Sequence, residues 1–305
     1  MPLLQQFPDQ TLQTASTSVP KISIVVPNYN GGKTIAATLQ SLIDQDYPQL
    51  EIVVVDGGST DNSVEIIKQF EPHIAWWISE PDQGQANAIN KGLAQCTGDI
   101  VNWLCSDDLL TEDALHIVGR YFASTPEMDV LVGTGQIVYE TEGGRVYLRQ
   151  SSLKRIGLMP ARNAIAQPSC FYRRTLLNRP QPVDESYNYA MDFELWNYFK
   201  SRGARWQCIE DVLSIAIQDG ANKSSTGGEK VTFELERIYN TYVQEWIPLP
   251  FLHRRLRYPL ERFLAKHPGK FWLCTVGSIW VTITLILSPF YGFNRVWIMR
   301  WKSWV

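Results

Sequence analysis

Between residues 22 and 104 the chain alternates strictly between short apolar runs and amphipathic segments, and this alternation limits its possible folds more than any other feature. The apolar runs are rich in Val and Ile, which favour strands, and turn-forming residues follow them. Strands are predicted near 22–26, 52–56, 74–78 and 100–104, with helices near 33–45, 62–70 and 84–94 between them. Strict β/α alternation predicts an α/β fold with a Rossmann-like, mostly parallel sheet and helices on both faces.

A change of pattern follows this alternating region. After a further predicted helix near 112–123, strand-like runs occur at 130–133, 136–139 and 145–148. The last two runs flank a Gly-Gly turn and are expected to form a hairpin that widens the sheet.

Two adjacent acids, Asp107 and Asp108, come just after the apolar run that ends at Leu104. If they are buried side by side without a counter-ion, their carboxylates repel each other at a substantial energetic cost. Oxygen ligands at the carboxyl end of a strand suit Mg²⁺ or Mn²⁺, and such an ion also holds a substrate diphosphate. The pair therefore indicates a divalent cation site; the alternative is an acid pair that caps the helix beginning near Thr111.

Another acid, Asp56, ends an apolar run and precedes a Gly-Gly-Ser turn. Ligands of open parallel sheets bind outside the carboxyl ends of the strands, so Asp56 is placed to accept a hydrogen bond from a nucleotide's base or ribose. Taken alone, this segment is also a common turn sequence.

Four segments, taken together, resemble a known family. They are Val-Pro-Asn-Tyr-Asn ending at Asn30, Val-Asp-Gly-Gly-Ser-Thr-Asp ending at Asp61, Glu-Pro-Asp-Gln-Gly ending at Gly84, and Ser-Asp-Asp ending at Asp108. In this order and spacing they are similar to the motifs of the family 2 glycosyltransferases, whose GT-A fold is a nucleotide-binding α/β sheet. The resemblance covers roughly residues 20–225.

The resemblance implies an inverting enzyme that moves a sugar from a UDP-, GDP- or dTDP-sugar to a hydroxyl of a glycan or lipid-linked sugar. It implies a divalent cation, Mg²⁺ or Mn²⁺, held by Asp108. The nucleotide-binding residues expected from the motifs are Pro27, Tyr29, Asp56, Lys91 and Asp107. For Lys91, the alternative is a lysine that does not touch the nucleotide.

A second acidic segment begins the amphipathic helix expected from Tyr189 to about Lys200. Asp192 and Glu194 are two residues apart, so on a helix their side chains point about 200° away from each other and only one can face a cleft. In the resembling family an Asp at this helix start is the general base, and Asp192 matches it. The alternatives are an Asp that only favours the helix N-terminus and, for Glu194, a solvated or ion-paired side chain.

Gln218 and Lys223 lie where the resembling family commonly has a loop that closes over the diphosphate. Gln218 stands where a His is frequent, which puts a contribution of that His to metal or phosphate in doubt. Lys223 could pair with a phosphate as a point charge, and a solvated loop lysine is the alternative.

The C-terminal region has the opposite charge to the rest of the chain. Residues 251–305 hold nine Lys or Arg against the single acid Glu261, a net charge of +8, while the preceding 250 residues carry −11. Within it, residues 271–288 are uncharged and mostly apolar, with aromatic residues at both ends that resemble interfacial anchors. This pattern predicts membrane association through residues 271–297, by spanning or by lying in the interface; the alternative is a buried helical hairpin.

These patterns give a predicted division into a disordered leader at 1–19, a catalytic domain at 20–229 and a helical, membrane-associated region at 230–305. The catalytic domain is expected at the cytoplasmic face of the inner (plasma) membrane, and no nucleic acid partner is expected.

Two other functions have to be considered for this chain. A nucleotidyltransferase would need a Gly-rich loop with Arg and Lys after the first strand, which Asn28-Tyr-Asn-Gly-Gly lacks. An inactive sugar-binding scaffold would tolerate loss of the acids, which this chain retains.

Overall fold

The computed structural model describes residues 19–140, 146–150, 159, 163, 165–218, 229–243, 245, 249–267 and 269–292. The chain divides into two compact units. The first comprises the residues up to 154 together with 164–222, and the second comprises 155–163 and the residues from 223 onward. The predicted leader, the turn of the predicted hairpin and Lys223 lie outside the described residues.

Among the described residues, the first unit contains nine strands in one mixed sheet. They are β1 Ile22–Asn28, β2 Leu50–Asp56, β3 Trp76–Ser79, β4 Ile100–Trp103, β5 Asp108–Leu110, β6 Val130–Glu140, β7 Val146–Gln150, β8 Cys170–Arg173 and β9 Trp206–Gln218. The strand order is β3-β2-β1-β4-β8-β6-β9-β5, and β7 pairs with β6.

The parallel part of the sheet consists of the four predicted strands, because β3, β2, β1 and β4 all run parallel. Beyond β4 the directions alternate. β8 is antiparallel to both β4 and β6, β9 is parallel to β6, and β5 is antiparallel to β9. The predicted hairpin between β6 and β7 is confirmed by their antiparallel pairing.

Helices cover both faces of the sheet, as predicted. Those of the first unit are α1 Ile35–Ile43, α2 Ser63–Gln69, α3 Gln85–Gln95, α4 Ala114–Ser124 and α5 Met191–Ser201. Successive residues of a strand point to opposite faces. Ile24 packs in the core that β1 shares with α1, α2 and α4. Val25 points to the other face, where Gly92 of α3 lies against it.

An aromatic cluster anchors α5 to the face that also carries α3. Trp103, the last residue of β4, stacks on Trp196 of α5 with ring centroids 6.0 Å apart and planes 13° from parallel. Tyr172 of β8 meets the same ring edge-on at 5.8 Å, and all three side chains are buried. Aromatic pairs of this kind contribute about 0.5–1.5 kcal/mol each beyond their buried area. The packing fixes the start of α5, which carries Asp192.

The described residues of the second unit are mostly helical. Its helices are α6 Glu229–Tyr242, α7 Leu249–Lys266 and α8 Lys270–Tyr291. Of the described helices, α8 alone is long and apolar enough to cross a membrane, and only 17% of its most apolar window is buried. A fully buried hairpin, one of the alternatives expected from the sequence, therefore does not describe α8.

Candidate active site

The loops after β1 and β2 are joined by hydrogen bonds at the carboxyl edge of the sheet. Asn28 and Asp56 end these two strands as register partners. Beyond them, the Asn30 backbone N–H donates to Ser59 Oγ at 2.7 Å, and the Thr60 N–H donates to Asn30 Oδ1 at 2.8 Å. Asn30 has a φ of 52°, in the left-handed region that Asn tolerates better than most residues. Two of the four motifs thus form one polar surface.

Asp56 lies at the centre of this surface and is completely buried. Its carboxylate accepts hydrogen bonds from Asn28 Nδ2 at 2.7 Å, from the Ser59 N–H at 2.9 Å and hydroxyl at 2.5 Å, and from Ser79 Oγ at 2.6 Å. Burial alone would raise the pKa of Asp56, but these hydrogen bonds outweigh it and the pKa lies below its ordinary value. Four donors occupy about the full acceptor capacity of a carboxylate. A nucleotide contact with Asp56 would therefore replace one of them.

The third motif packs against the second at the two adjacent glycines of the second motif, Gly57 and Gly58. A Cβ added to Gly57 would come within 2.5 Å of Asp82 Oδ2, and Gly58 has a φ of 80°. Asp82 in turn accepts a hydrogen bond from the Gly84 N–H at 2.7 Å, just before α3 begins. Side chains at these two glycines would separate the loops, which explains the Gly-Gly pair.

The other predicted nucleotide-binding residues have three different settings. Pro27 is buried within β1 beside Val55 of β2. Tyr29 follows the strand and is 66% exposed, so its ring is available to a ligand. Lys91 on α3 forms an ion pair with Glu80 at 2.7 Å, so it reaches the third motif.

Asp107 and Asp108 form a cluster with Cys105 just after β4. One potential ligand atom from each of the three lies within 4.8 Å of the others. Two helices hold the cluster: Thr38 Oγ1 of α1 donates to the Asp108 carbonyl at 2.9 Å, and Gln85 Nε2 of α3 donates to Cys105 Sγ at 3.2 Å. The two acids do not cap a helix, because Asp108 begins β5.

The electrostatics of the cluster fit a divalent cation. Loss of solvation raises the pKa of Asp108 well above its usual range, the Asp107 charge raises it further, and the Cys105 thiol hydrogen bond opposes both. Burial and the same two acids raise the pKa of the Cys105 thiol, which keeps it protonated. Mg²⁺ and Mn²⁺ prefer oxygen ligands. The carboxylates of Asp107 and Asp108 are therefore the groups that would hold such an ion.

Asp192 and Glu194 point to different surroundings, as the helical spacing predicts. Asp192 is half-buried in the first turn of α5. The pKa of the Cys105 thiol is raised by burial first, then by the charges of Asp108 and Asp107, and also by the charge of Asp192. Glu194 is 4% exposed and accepts hydrogen bonds from both terminal nitrogens of Arg179. Asp192 thus lies within electrostatic reach of the acid cluster, while Glu194 has the ion-paired role weighed for it.

Gln218 is the last residue of β9 and pairs in register with Tyr139 of β6. Ala216, two residues earlier on β9, is the register partner of Asp108 in β5, so the end of β9 lies beside the acid cluster. The structure adds two contacts that the sequence patterns did not reveal, those of Cys105 and of Gln85. Cys105 directly precedes the Ser-Asp-Asp triplet, and that adjacency was the available signal.

Comparisons with known proteins identify the family and the fold of this chain. The model of Glycosyl transferase family 2 matches residues 23–188. An uncharacterized glycosyltransferase of Nostoc sp. is 29% identical over 302 residues, which cover 89% of this chain and 90% of that protein. The crystal structure of S. aureus TarS 1–349 in complex with UDP-GlcNAc superposes with a TM-score of 0.59 at 20% identity, covering 93% and 88% of the two chains. The mannosyltransferase PcManGT from Pyrobaculum calidifontis, in complex with GDP-Man and Mn²⁺, gives 0.58 at 19%, covering 93% and 84%.

Proposed function

Because this chain belongs to glycosyl transferase family 2, we propose that it transfers a sugar, with inversion, from a nucleotide diphosphate sugar to a hydroxyl of a glycan or lipid-linked sugar. Sugar transfer and the GT-A-type fold follow from the family and its structural neighbours. The observation that supports the finer proposal is that the charge of Asp192 acts on Cys105, which clusters with Asp107 and Asp108. A displacement of this kind needs a base at the acceptor hydroxyl and positive charge at the leaving diphosphate. Asp192 would supply the base, and a cation held by Asp107 and Asp108 would supply the charge.

In the proposed reaction the acceptor oxygen attacks the anomeric carbon on the face opposite the diphosphate. A bond forms between that oxygen and the carbon, while the bond from the carbon to the diphosphate oxygen breaks and its electron pair leaves with the phosphate. Asp192 takes the hydroxyl proton as general base. A single displacement of this kind inverts the anomeric centre and needs no covalent intermediate on the protein.

Asp107 and Asp108 are proposed to hold a divalent cation beside the leaving group. When bound, a divalent cation supplies positive charge against the diphosphate. The Cys105 thiol, which donates to Asp108, keeps that carboxylate oriented. The Mn²⁺ in the PcManGT complex supports a divalent cation here.

The donor is proposed to be a UDP-, GDP- or dTDP-sugar bound along the first three motifs. Tyr29 offers an exposed ring on which a base can stack, and Asp56 can accept from the nucleotide in place of the Ser59 hydroxyl. Pro27, buried in the strand that leads to Tyr29, is proposed to line this part of the site. Lys91 is proposed to contact the donor after exchanging its Glu80 partner for a phosphate. Lys223 is proposed to reach the diphosphate, and Gln218 to begin the loop that carries it.

The second unit is proposed to attach the enzyme to the cytoplasmic face of the inner (plasma) membrane. Support comes from α8, whose apolar side chains are mostly exposed, and from the basic residues before it. A membrane location suits a lipid-linked acceptor.

Donor binding and chemistry are separable by two variants. Thermal unfolding of the purified protein with UDP-, GDP- and dTDP-sugars should show stabilisation that depends on Mn²⁺, and Asp108→Asn should lose it. Asp192→Asn should keep that stabilisation but transfer sugar about 10²–10⁴-fold more slowly, the usual contribution of a general base. Glu127→Gln, an exposed acid remote from the motifs in sequence, is the charge-matched control.

The product's stereochemistry tests the inversion directly. Proton NMR of the first product should show the anomeric configuration opposite to that of the donor. Retention, or normal turnover by Asp192→Asn, would contradict the proposed mechanism.

A further inference from the structure

Helix α8 has one packed stripe and otherwise exposed apolar faces. Val276, Trp280 and Thr284, spaced four residues apart, are its buried residues. Trp280 clusters with Tyr239 of α6, and Ile283 and Leu287 of α8 pack against the same cluster. The middle of α8 therefore rests on α6.

The remaining surface of α8 exposes large hydrophobic side chains over its whole length. These side chains, 40–80% exposed, are Phe271, Trp272, Leu273, Ile279, Val281, Leu285, Ile286 and Phe290. No charged residue occurs between Phe271 and Tyr291. An uncharged apolar surface of this length marks an interaction site, because water does not tolerate large contiguous apolar patches.

Basic residues surround this surface in the sequence on both sides. Arg254, Arg255, Arg257, Arg262, Lys266 and Lys270 precede it, and Arg295, Arg300 and Lys302 follow it. In the described part, the side chains of Arg255, Arg262, Lys266 and Lys270 are exposed. Such clusters bind the anionic lipids of a cytoplasmic leaflet. An apolar surface flanked by positive charge fits an anionic phospholipid bilayer.

We propose that α8 lies in the plane of the membrane interface and does not cross the bilayer. Length does not decide this, because a helix of 22 residues is about 33 Å long and could span. The packing on α6 decides it. Five of the fourteen residues of α6 are charged, namely Glu229, Lys230, Glu234, Glu236 and Arg237.

If α8 spanned the bilayer, its midpoint would bring this polar helix into the hydrocarbon. Charged side chains are strongly disfavoured in the hydrocarbon, so α6 would have to detach. In the interface, by contrast, α6 stays on the water side while the exposed apolar side chains of α8 enter the lipid. The positive residues at both ends favour the same conclusion, because each flank prefers the cytoplasmic side.

The full chain with a tag at each end, expressed in cells, tests the topology. On inside-out vesicles, protease should remove both tags, and high-pH carbonate should release the protein. If protease removed one tag and left the other protected, or if the protein resisted carbonate, the in-plane arrangement would be overturned.

Lipid selectivity tests the surface itself. The purified full chain should float with phosphatidylcholine vesicles that contain phosphatidylglycerol, and much less with phosphatidylcholine alone or at high salt. The double variant Leu285→Glu/Ile286→Glu should lose at least tenfold in flotation, whereas Phe233→Glu, an exposed apolar residue of α6, should float like the wild type.

This inference rests on the membrane part of the proposed function but not on sugar transfer. Thermal stabilisation by sugar nucleotides serves as the folding check on each variant. A wild-type protein that binds donor but never floats with anionic vesicles would refute both the in-plane arrangement and the membrane attachment, and would leave the transfer reaction standing.

Discussion

The side chain of Asn90 on α3 hydrogen-bonds the backbone of Val183, in the segment that leads to Asp192, the proposed base. Asn90 Nδ2 donates to the Val183 carbonyl at 2.7 Å and to Glu185 Oε1 at 2.9 Å, and Asn90 Oδ1 accepts from the Val183 N–H at 2.9 Å. Val183 is completely buried. Asn87, one turn earlier on α3, makes only longer bonds: its Nδ2 donates to the Glu185 carboxylate at 3.2 and 3.3 Å, and its Oδ1 accepts from the Gln83 N–H at 3.4 Å.

The two asparagines should therefore differ sharply when each is replaced by Ala. Asn90→Ala leaves both the N–H and the C=O of Val183 buried without their partner, and each orphaned group costs about 1–3 kcal/mol. The free energy of unfolding should fall by about 2–6 kcal/mol. Asn87→Ala removes weak bonds to a partly exposed carboxylate and to the exposed Gln83 N–H, and should cost less than about 1 kcal/mol.

Urea unfolding of the two variants measures this difference, and sugar-transfer kinetics measure its consequence. Because the segment from Val183 leads into the turn that carries Asp192, Asn90→Ala should lower kcat by about tenfold with little change in donor KM. The reasoning fails if the two variants unfold within about 0.5 kcal/mol of each other, or if kcat of Asn90→Ala equals that of Asn87→Ala.

Three further outcomes follow from other parts of the structure. Gly92→Ala should destabilise the protein by about 1–3 kcal/mol in urea unfolding, because the added Cβ would lie 2.4 Å from Val25 Cγ1, whereas Gly277→Ala, with no atom within 4 Å, should not. Burial would raise the pKa of Glu51, but its hydrogen bonds lower it to about 2. The ionised Glu51 therefore stabilises the folded protein above the unfolded pKa of about 4.3, and this contribution is lost as the pH falls toward 2. Glu51→Gln should flatten that part of the profile of unfolding free energy against pH. Cd²⁺ should produce a thiolate charge-transfer band in the wild type and not in Cys105→Ser, while Mn²⁺-dependent donor binding should change less.

The parallel half of the fold could be predicted because its strands are continuous apolar runs. The carboxyl ends of parallel strands share one edge, so motifs that follow such runs had to meet there. The structure brings both acids to that edge: Asp56 is the last residue of β2, and Asp108 follows the end of β4 by five residues. Sequence position alone could not show that protein donors already occupy the Asp56 carboxylate, because Ser79 comes from a different strand.

The antiparallel half was harder to predict because glycines interrupt its pattern. Two short strand-like runs near 130–139 form one continuous strand, β6, with register shifts around Thr134. Gly133 allows the close approach of β9, since its Cβ would lie 2.4 Å from Leu213, and Gly135 likewise makes room for Ala166. In the sequence such glycines indicate a break; in the sheet they permit a bulge. β8, with only four residues, gave too little periodicity to detect.

The position of Asp192 relative to the acid cluster depends on packing that no local pattern encodes. Trp103 lies four residues before Asp107, and Trp196 lies four residues after Asp192, one turn along α5. The stacking of these two rings therefore ties the end of β4 to the start of α5 across about ninety residues of sequence. Because the rings are buried between sheet and helix, their thickness helps set the distance from Asp192 to Asp107 and Asp108. The spacing that the proposed reaction needs is thus held by apolar residues that take no part in it.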